Sequence, residues 1–377
     1  MDFYCTFVPY LITNIMLHIL SSAMHRENMP LPLQPDADWL STHQVLAILT
    51  GGTEASFLAL VEDGTIRLDQ PVYLLVSGQS NSLAASLEIL TWIQQHNGQA
   101  VLLREKDAAT YRSLTPETIP TLRSSDTPAV SARLNCRLGV VGAPSDWLIA
   151  SHVDYQRAFD ILGVTLVDIP IEEVTSLGVI DGGQKGADLI YQRLRDIVSR
   201  YDLQGITLRC FDMLTTVHNT GCMALSRLND EGIPAACEGD IPALLTMMLC
   251  RQRTGEPCFQ VNPARIQEDG KMLWAHCTLP LKMCSSHSLT THFESGIGVA
   301  IHGELPLGDY TLVKLSGDLT RLLAEDVQLV ANQYEPNLCR TQVWIQGSPE
   351  LASRLLREPI ANHHILIRGH HAAGLRS

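Results

Sequence analysis

Residues 205–249 read GITLRCFDMLTTVHNTGCMALSRLNDEGIPAACEGDIPALLTMML, and the fold class turns on them. GITLRCF has the near-continuous apolar character of a strand buried on both faces. GCMALSRLNDEG follows helical spacing, AACEG is a second short strand, and IPALLTMML starts another helix. This alternation is the signature of a parallel sheet covered by helices. Glu238 and Asp240 interrupt the apolar pattern at the last strand-to-helix junction. Open α/β sheets bind ligands outside the carboxyl ends of their strands, so this junction is a candidate site. Asp240 reads as the N-cap of the following helix, with Pro242 tolerated in its first turn. Glu238 reads either as a partly exposed loop carboxylate or as a functional one.

The same rhythm extends upstream. RLGVVG (137–142), HVDYQRAFDILG, VTLVDIP and KGADLIYQRLRDIVSRYD complete an α/β domain expected over residues 136–253. Earlier still, QVLAILT (44–50), VYLLV (72–76), SLAASLEILTWIQQHN (82–97) and AVLLR (100–104) give a first α/β domain over 43–135. Its polar end, 105–135, reads as an interdomain crossing. Over 254–377 the period becomes alternating. KMLWAHCTLPL, SGIGVAIHGEL, DYTLVKLSG, DVQLVANQY, RTQVWIQ and HHILIRG each fit a strand, separated by Gly, Asp or Pro turn signals. The expected fold is therefore α/β: two flavodoxin-like parallel α/β domains followed by a C-terminal antiparallel β-barrel-like domain.

A chain of 377 residues is long enough for two or three cores. With 45% hydrophobic and 18% charged residues it is an ordinary globular composition. A net charge of −13 and the lack of any basic run argue against nucleic acid or an anionic membrane as partner. A small neutral ligand, or a metal held by carboxylates, fits better. Ten cysteines without a C-x-x-C pair point to free thiols in a reducing, cytoplasmic setting; Cys210, Cys237 and Cys277 are expected in buried strands. Residues 1–42 read as a hydrophobic extension and linker. FYCTFVPYLITNIMLHILSSAM (3–24) is uncharged and long enough to cross a bilayer, but it lacks a basic flank and contains Pro9 and His18. It is either an upstream extension of a cytoplasmic protein or an anchor. On the first reading, a chain starting at Met29 keeps its stability.

CMALSRLNDEGIPAACEGDIPALLTMML, followed in order by FQVNPARI, WAHCTLP, THFESGIGVAI and NHHILIRG, resembles the L-fucose isomerase and L-arabinose isomerase family. The likeness covers roughly residues 136–371 and is to a compact, fucose isomerase-like member. It implies two α/β domains plus a β-barrel-like domain, aldose–ketose isomerisation of an open-chain deoxy- or pentose-type sugar, Mn²⁺ as metal, and a trimer or hexamer. In this resemblance Glu238 is both metal ligand and proton-transfer residue. A late His ligand falls on His363, with His364 as a competitor within the pair, and a further His falls on His276. The second family carboxylate falls on Asn262. An amide oxygen still coordinates a hard cation, but it does not exchange a proton at neutral pH.

Moving a carbonyl from C1 to C2 requires a base beside C2–H and stabilisation of the developing enediolate, which explains a carboxylate next to a divalent metal. Four further residues are substrate-binding candidates, each with a plainer alternative. His292 and Glu294 of THFES reach the sugar or face solvent. Arg340 holds a hydroxyl or pairs with an acid. Trp147 stacks on the sugar or is simply buried. The SGQSNS loop (77–82) has the form of an anion cradle, as many tight strand–helix turns do. The rival to an isomerase is a sugar-binding or regulatory protein on the same scaffold, disarmed by Asn262; a third possibility is another metal-assisted reaction on a sugar.

Overall fold

The computed structural model describes residues 17–22, 30–113, 130 and 133–376. Most of the uncharged run 3–24 and most of the crossing 105–135 lie outside the described residues.

Four parallel strands form the first sheet, in sequence order: β1 (Leu17–Leu20), β2 (Gln44–Ile48), β3 (Val72–Val76) and β4 (Ala100–Leu103). Every residue of β2 and β3 is buried, as the continuous apolar runs require when both faces are covered. The expected limit of this unit is corrected at its start. Leu17–Leu20, inside the stretch read as an extension, pairs with Val45–Ile48, and Leu20 is fully buried. LHIL is short and apolar enough to complete a sheet edge, and the helix Ala37–Leu40, capped by Asp36, carries the chain back to β2.

The second sheet contains β5 (Arg137–Val141), β6 (Thr165–Ile169), β7 (Gly205–Leu208) and β8 (Ala235–Cys237), ordered β6-β5-β7-β8. Strand order reverses between β5 and β7, the switch point at which doubly wound sheets open a crevice. Among the described residues the first sheet shows no such reversal, and the order β6-β5-β7-β8 of the second is the one with the expected winding.

The rest of the chain is mainly β9 (Phe259–Ile266), β10 (Lys271–His276), β11 (Ser286–Thr290), β12 (Ala300–Glu304), β13 (Gly308–Leu315), β14 (Leu322–Gln333), β15 (Thr341–Gln346) and β16 (His364–Arg368). Six of these close an antiparallel barrel in the order β10-β15-β14-β13-β16-β9, which removes exposed sheet edges; β11 and β12 pair beside it. Pro263 is tolerated inside β9 because the register slips there: Leu273 faces Arg265 while Trp274 faces Pro263, leaving Ala264 as the extra residue.

The barrel is fastened to both sheets. Val76, Leu83 and Leu87 of the first α/β unit and Met223 of the second share one apolar cluster with Phe259 and Trp274 of the barrel. The Cys237 amide, at the end of β8, donates to Gln260 Oε1 of β9 at 2.8 Å. No helix among the described residues is long and apolar enough to cross a membrane.

Candidate active site

The carboxyl ends of both sheets and one face of the barrel enclose a cleft of about 630 Å³. Glu238 lies in it because of its backbone. It sits immediately after β8 with φ +65°, followed by Gly239 at +69°. A left-handed non-glycine residue costs roughly 1–3 kcal/mol and persists where its surroundings demand it. The next position admits no side chain, since a Cβ on Gly239 would lie 2.3 Å from the Ala143 carbonyl oxygen. The turn ends at Asp240, whose Oδ1 accepts from the Ala243 amide at 2.7 Å and caps the helix Ile241–Thr254, as its sequence position predicts.

Asp240 does more than cap. Its Oδ2 lies 2.8 Å from His363 Nδ1 and 3.9 Å from Lys314 Nζ, all three side chains being fully buried. His363 Nε2 lies 3.4 Å from Glu238 Oε1, His276 Nε2 lies 4.0 Å from the same oxygen, and the Trp147 indole donates to Glu238 Oε2 at 2.5 Å. A buried polar chain thus runs Lys314–Asp240–His363–Glu238. Burial would raise both carboxyl groups. His363, His276 and Trp147 nevertheless hold Glu238 below the ordinary range, and Lys314, His363 and the Ala243 amide do so for Asp240. Burial likewise opposes a charge on His363, but Glu238 and Asp240 outweigh it and push the imidazole up to about 10. His276, by contrast, is driven down to about 3, by burial first and then by His363.

The residues at Glu238 fit a divalent cation. His363 Nε2 and Asn262 Oδ1 are buried without a hydrogen-bond partner, and Asn262 lines the cleft with Glu238. Ligand atoms of Cys237, Glu238 and His276 lie within 4.8 Å of one another. Carboxylate, imidazole and amide oxygen suit a hard or borderline metal such as Mn²⁺. The Cys237 thiol is engaged instead with Cys210, 3.0 Å away, and both are free and buried, as is Cys277.

The other anticipated residues divide. Trp147 and Glu294 line the cleft, with Trp147 edge-on to Phe211 at 4.8 Å between centroids. His292 is buried behind Phe211, its Nδ1 3.0 Å from Ser295 Oγ, and burial pushes it down to about 4. His364 turns away from Glu238, because successive strand residues face opposite sides. Its Nδ1 meets the Asn362 carbonyl at 2.7 Å and its ring lies against Trp274. Arg340 is not among the cleft residues: its guanidinium donates to the Thr291 and Pro336 carbonyls and to Tyr334.

Sequence reasoning missed Glu54, Asn81 and Arg209, all of which line the cleft. Asn81 belongs to SGQSNS, and its side-chain amide donates to Glu294 Oε1 at 2.9 Å. Burial, then the nearby Glu238, pushes Glu294 up to about 8. Arg209 follows β7 and is held by Asp146 at 3.0 Å and Asp212 at 3.1 Å. The position of GGTEAS just past the strand QVLAILT was the one signal for Glu54.

No family model matches this chain. Over 121 residues it is 28% identical to a sulfoquinovose isomerase of Clostridium sp. (strain MSTE9), an alignment covering 32% of this chain and 26% of that protein. The chain thus spans about a quarter of the length of the curated relative it matches, and over that part it is similar to a sugar isomerase.

Proposed function

We propose that this protein is a metal-dependent aldose–ketose isomerase that moves the carbonyl of an open-chain sugar through an enediolate. The observation that carries the reading is the position in one cleft of Glu238, on a left-handed backbone, and Asn262, whose Oδ1 has no hydrogen-bond partner, with His363 Nε2 3.4 Å from Glu238 Oε1. The partial likeness to a sulfoquinovose isomerase supports the same reaction class. With it go a division into three domains and a homo-oligomer, as the resemblance to L-fucose and L-arabinose isomerases implies, and a cytoplasmic location, as the unpaired cysteines imply.

When bound, a divalent cation supplies Lewis-acid stabilisation of the developing enediolate and a template for adjacent sugar oxygens. Glu238, His363, Asn262 and His276 are the residues that would hold it. Glu238 is the base that removes the proton from C2. The Trp147 indole N–H fixes Oε2, and Oε1 faces His363 and His276. Asp240 accepts Nδ1–H of His363 and orients the ring, and the second ring proton, which Glu238 and Asp240 favour, must leave before Nε2 can take a ligand.

Among the charged cleft residues, Asp146, Glu172 and Asp212 accompany Glu238, while Arg209 is paired with two of these acids. That balance supports an uncharged sugar, of the deoxy- or pentose-type, over a sulfonate or phosphate ester. Asn262 favours one second reading, a sugar-binding protein on a disarmed isomerase scaffold. Deuterium uptake at C2 of a panel of aldoses, in D₂O with Mn²⁺ and read by NMR, decides between them. On the isomerase reading wild type exchanges, and Glu238→Gln lowers the rate by ~10²–10⁴, the usual effect of losing a positioned base. Exchange by Asn262→Asp but not by wild type would establish the binding protein instead.

A further inference from the structure

Glu54 has no part in the reading above, and one of its carboxyl oxygens has no structural partner. It follows β2 at the carboxyl end of the first sheet, as the first residue of the helix Glu54–Glu62. Its side chain lines the cleft together with Glu238 and Asn262, yet the residue is only 2% exposed, and Oε2 has no hydrogen-bond partner. The Thr53 and Glu54 amides bond the carboxyl at the helix start, but a buried carboxyl oxygen without a partner opposes folding, so helix capping does not account for the whole side chain. Such groups concentrate in working sites.

We infer that Glu54 is the acid of the isomerisation, delivering a proton to the sugar carbonyl oxygen while Glu238 removes the proton from the neighbouring carbon. The inference rests on the isomerase reading and fills the gap left by Asn262, whose amide is not a proton donor of this kind. Burial holds the Glu54 carboxyl well above the ordinary carboxylate range, Glu88 from the helix Ser82–Gln95 and Glu238 from the end of β8 add to this, and the Thr53 and Glu54 amides oppose it. Burial therefore favours the acid form of Glu54 in the cleft.

The step balances within the protein and the sugar. The Glu238 carboxylate takes the C2 proton, and the C–H electron pair becomes the C1–C2 double bond. The C1 carbonyl pair moves to O1, which takes the Glu54 proton. The enediol now faces a protonated Glu238 and an ionised Glu54. Glu54 then takes the proton of the O2 hydroxyl as the C2 carbonyl forms, and C1 receives the proton held by Glu238. Both carboxyl groups return to their starting states, and no oxidant or reductant is needed.

The test uses the full chain with Mn²⁺ and L-fucose, L-arabinose and D-glucose as probes. Glu54→Gln is expected to lower kcat by ~10²–10⁴ with KM near wild type. It is also expected to abolish the alkaline limb of the wild-type pH profile, because activity requires protonated Glu54 and is lost as pH rises through its pKa. Glu54→Asp keeps that limb at a reduced rate. Independently of turnover, the infrared spectrum of wild type minus Glu54→Gln at neutral pH is expected to contain the C=O band of a protonated carboxylic acid. Wild-type turnover and pH profile in Glu54→Gln, or absence of that band, overturns the assignment while the isomerase reading stands. Should Glu54→Gln not fold, loss of the alkaline limb in Glu54→Asp overturns it. If wild type neither exchanges nor isomerises any probe, the isomerase reading itself fails, and the role of Glu54 falls with it.

Discussion

Asp240 uses its two oxygens for different ends, one to cap a helix and one to face His363 and Lys314. The two can be separated, because Asn caps a helix about as well as Asp but carries no charge. Lys314 is fully buried, and its Nζ has no hydrogen-bond partner. Removing the nearby carboxylate strands that cation, and breaking a buried pair on one side costs about 3–5 kcal/mol. Asp240→Asn is therefore expected to lower the urea unfolding free energy by about that amount, and adding Lys314→Met to restore much of it. A loss below about 1 kcal/mol, within the range of a changed cap, would leave Asp240 as a cap alone. The sequence disclosed the cap, since Asp followed by Ile-Pro at a helix start is a local signal. It did not disclose the partner, because His363 is 123 positions away and only barrel closure brings it there.

At the scale of elements, β1 revises the expectation for the N-terminal region. A chain starting at Met29 loses the Leu20 side chain from the first core, the Leu49-to-Leu20 backbone hydrogen bond and the bond from the Ser22 amide to Thr50 Oγ1. It is expected to have a lower thermal midpoint than the full chain and a newly exposed β2 edge prone to association; an unchanged midpoint would make β1 dispensable. The second sheet was legible because each apolar run is bounded by a turn signal. β1 was not, because LHIL sits inside a longer uncharged run whose length reads first as an extension or a span. β9 was hidden by Pro263, which a bulge accommodates, and β11 (SHSLT) by its exposure, which leaves no alternating apolar face to read. Glu238 stood out as a charge in an apolar frame, whereas Glu54 resembles any acidic residue in a first helical turn.

Across the whole molecule the cleft is assembled from three parts: Glu54 and Asn81 from the first sheet, Trp147, Arg209 and Glu238 from the second, and Asn262 and Glu294 from the barrel side. The candidate ligands cross one of these seams, with Glu238 on the second sheet and Asn262, His276 and His363 on the barrel side. A cation bound there ties the two parts together and stabilises only the assembled state. At a hundred times its dissociation constant such a ligand adds about 2.7 kcal/mol. Its uptake must also displace the proton that Glu238 and Asp240 hold on His363, so affinity falls as pH is lowered. Chelator-treated protein reloaded with Mn²⁺ is expected to gain thermal midpoint, more at pH 8 than at pH 6. Glu238→Ala and His363→Ala are expected to lose the gain, and His364→Ala, whose ring lies against Trp274, to keep it. A gain that survives Glu238→Ala and His363→Ala but disappears in His364→Ala would move the metal to the other face of β16 and separate it from the cleft.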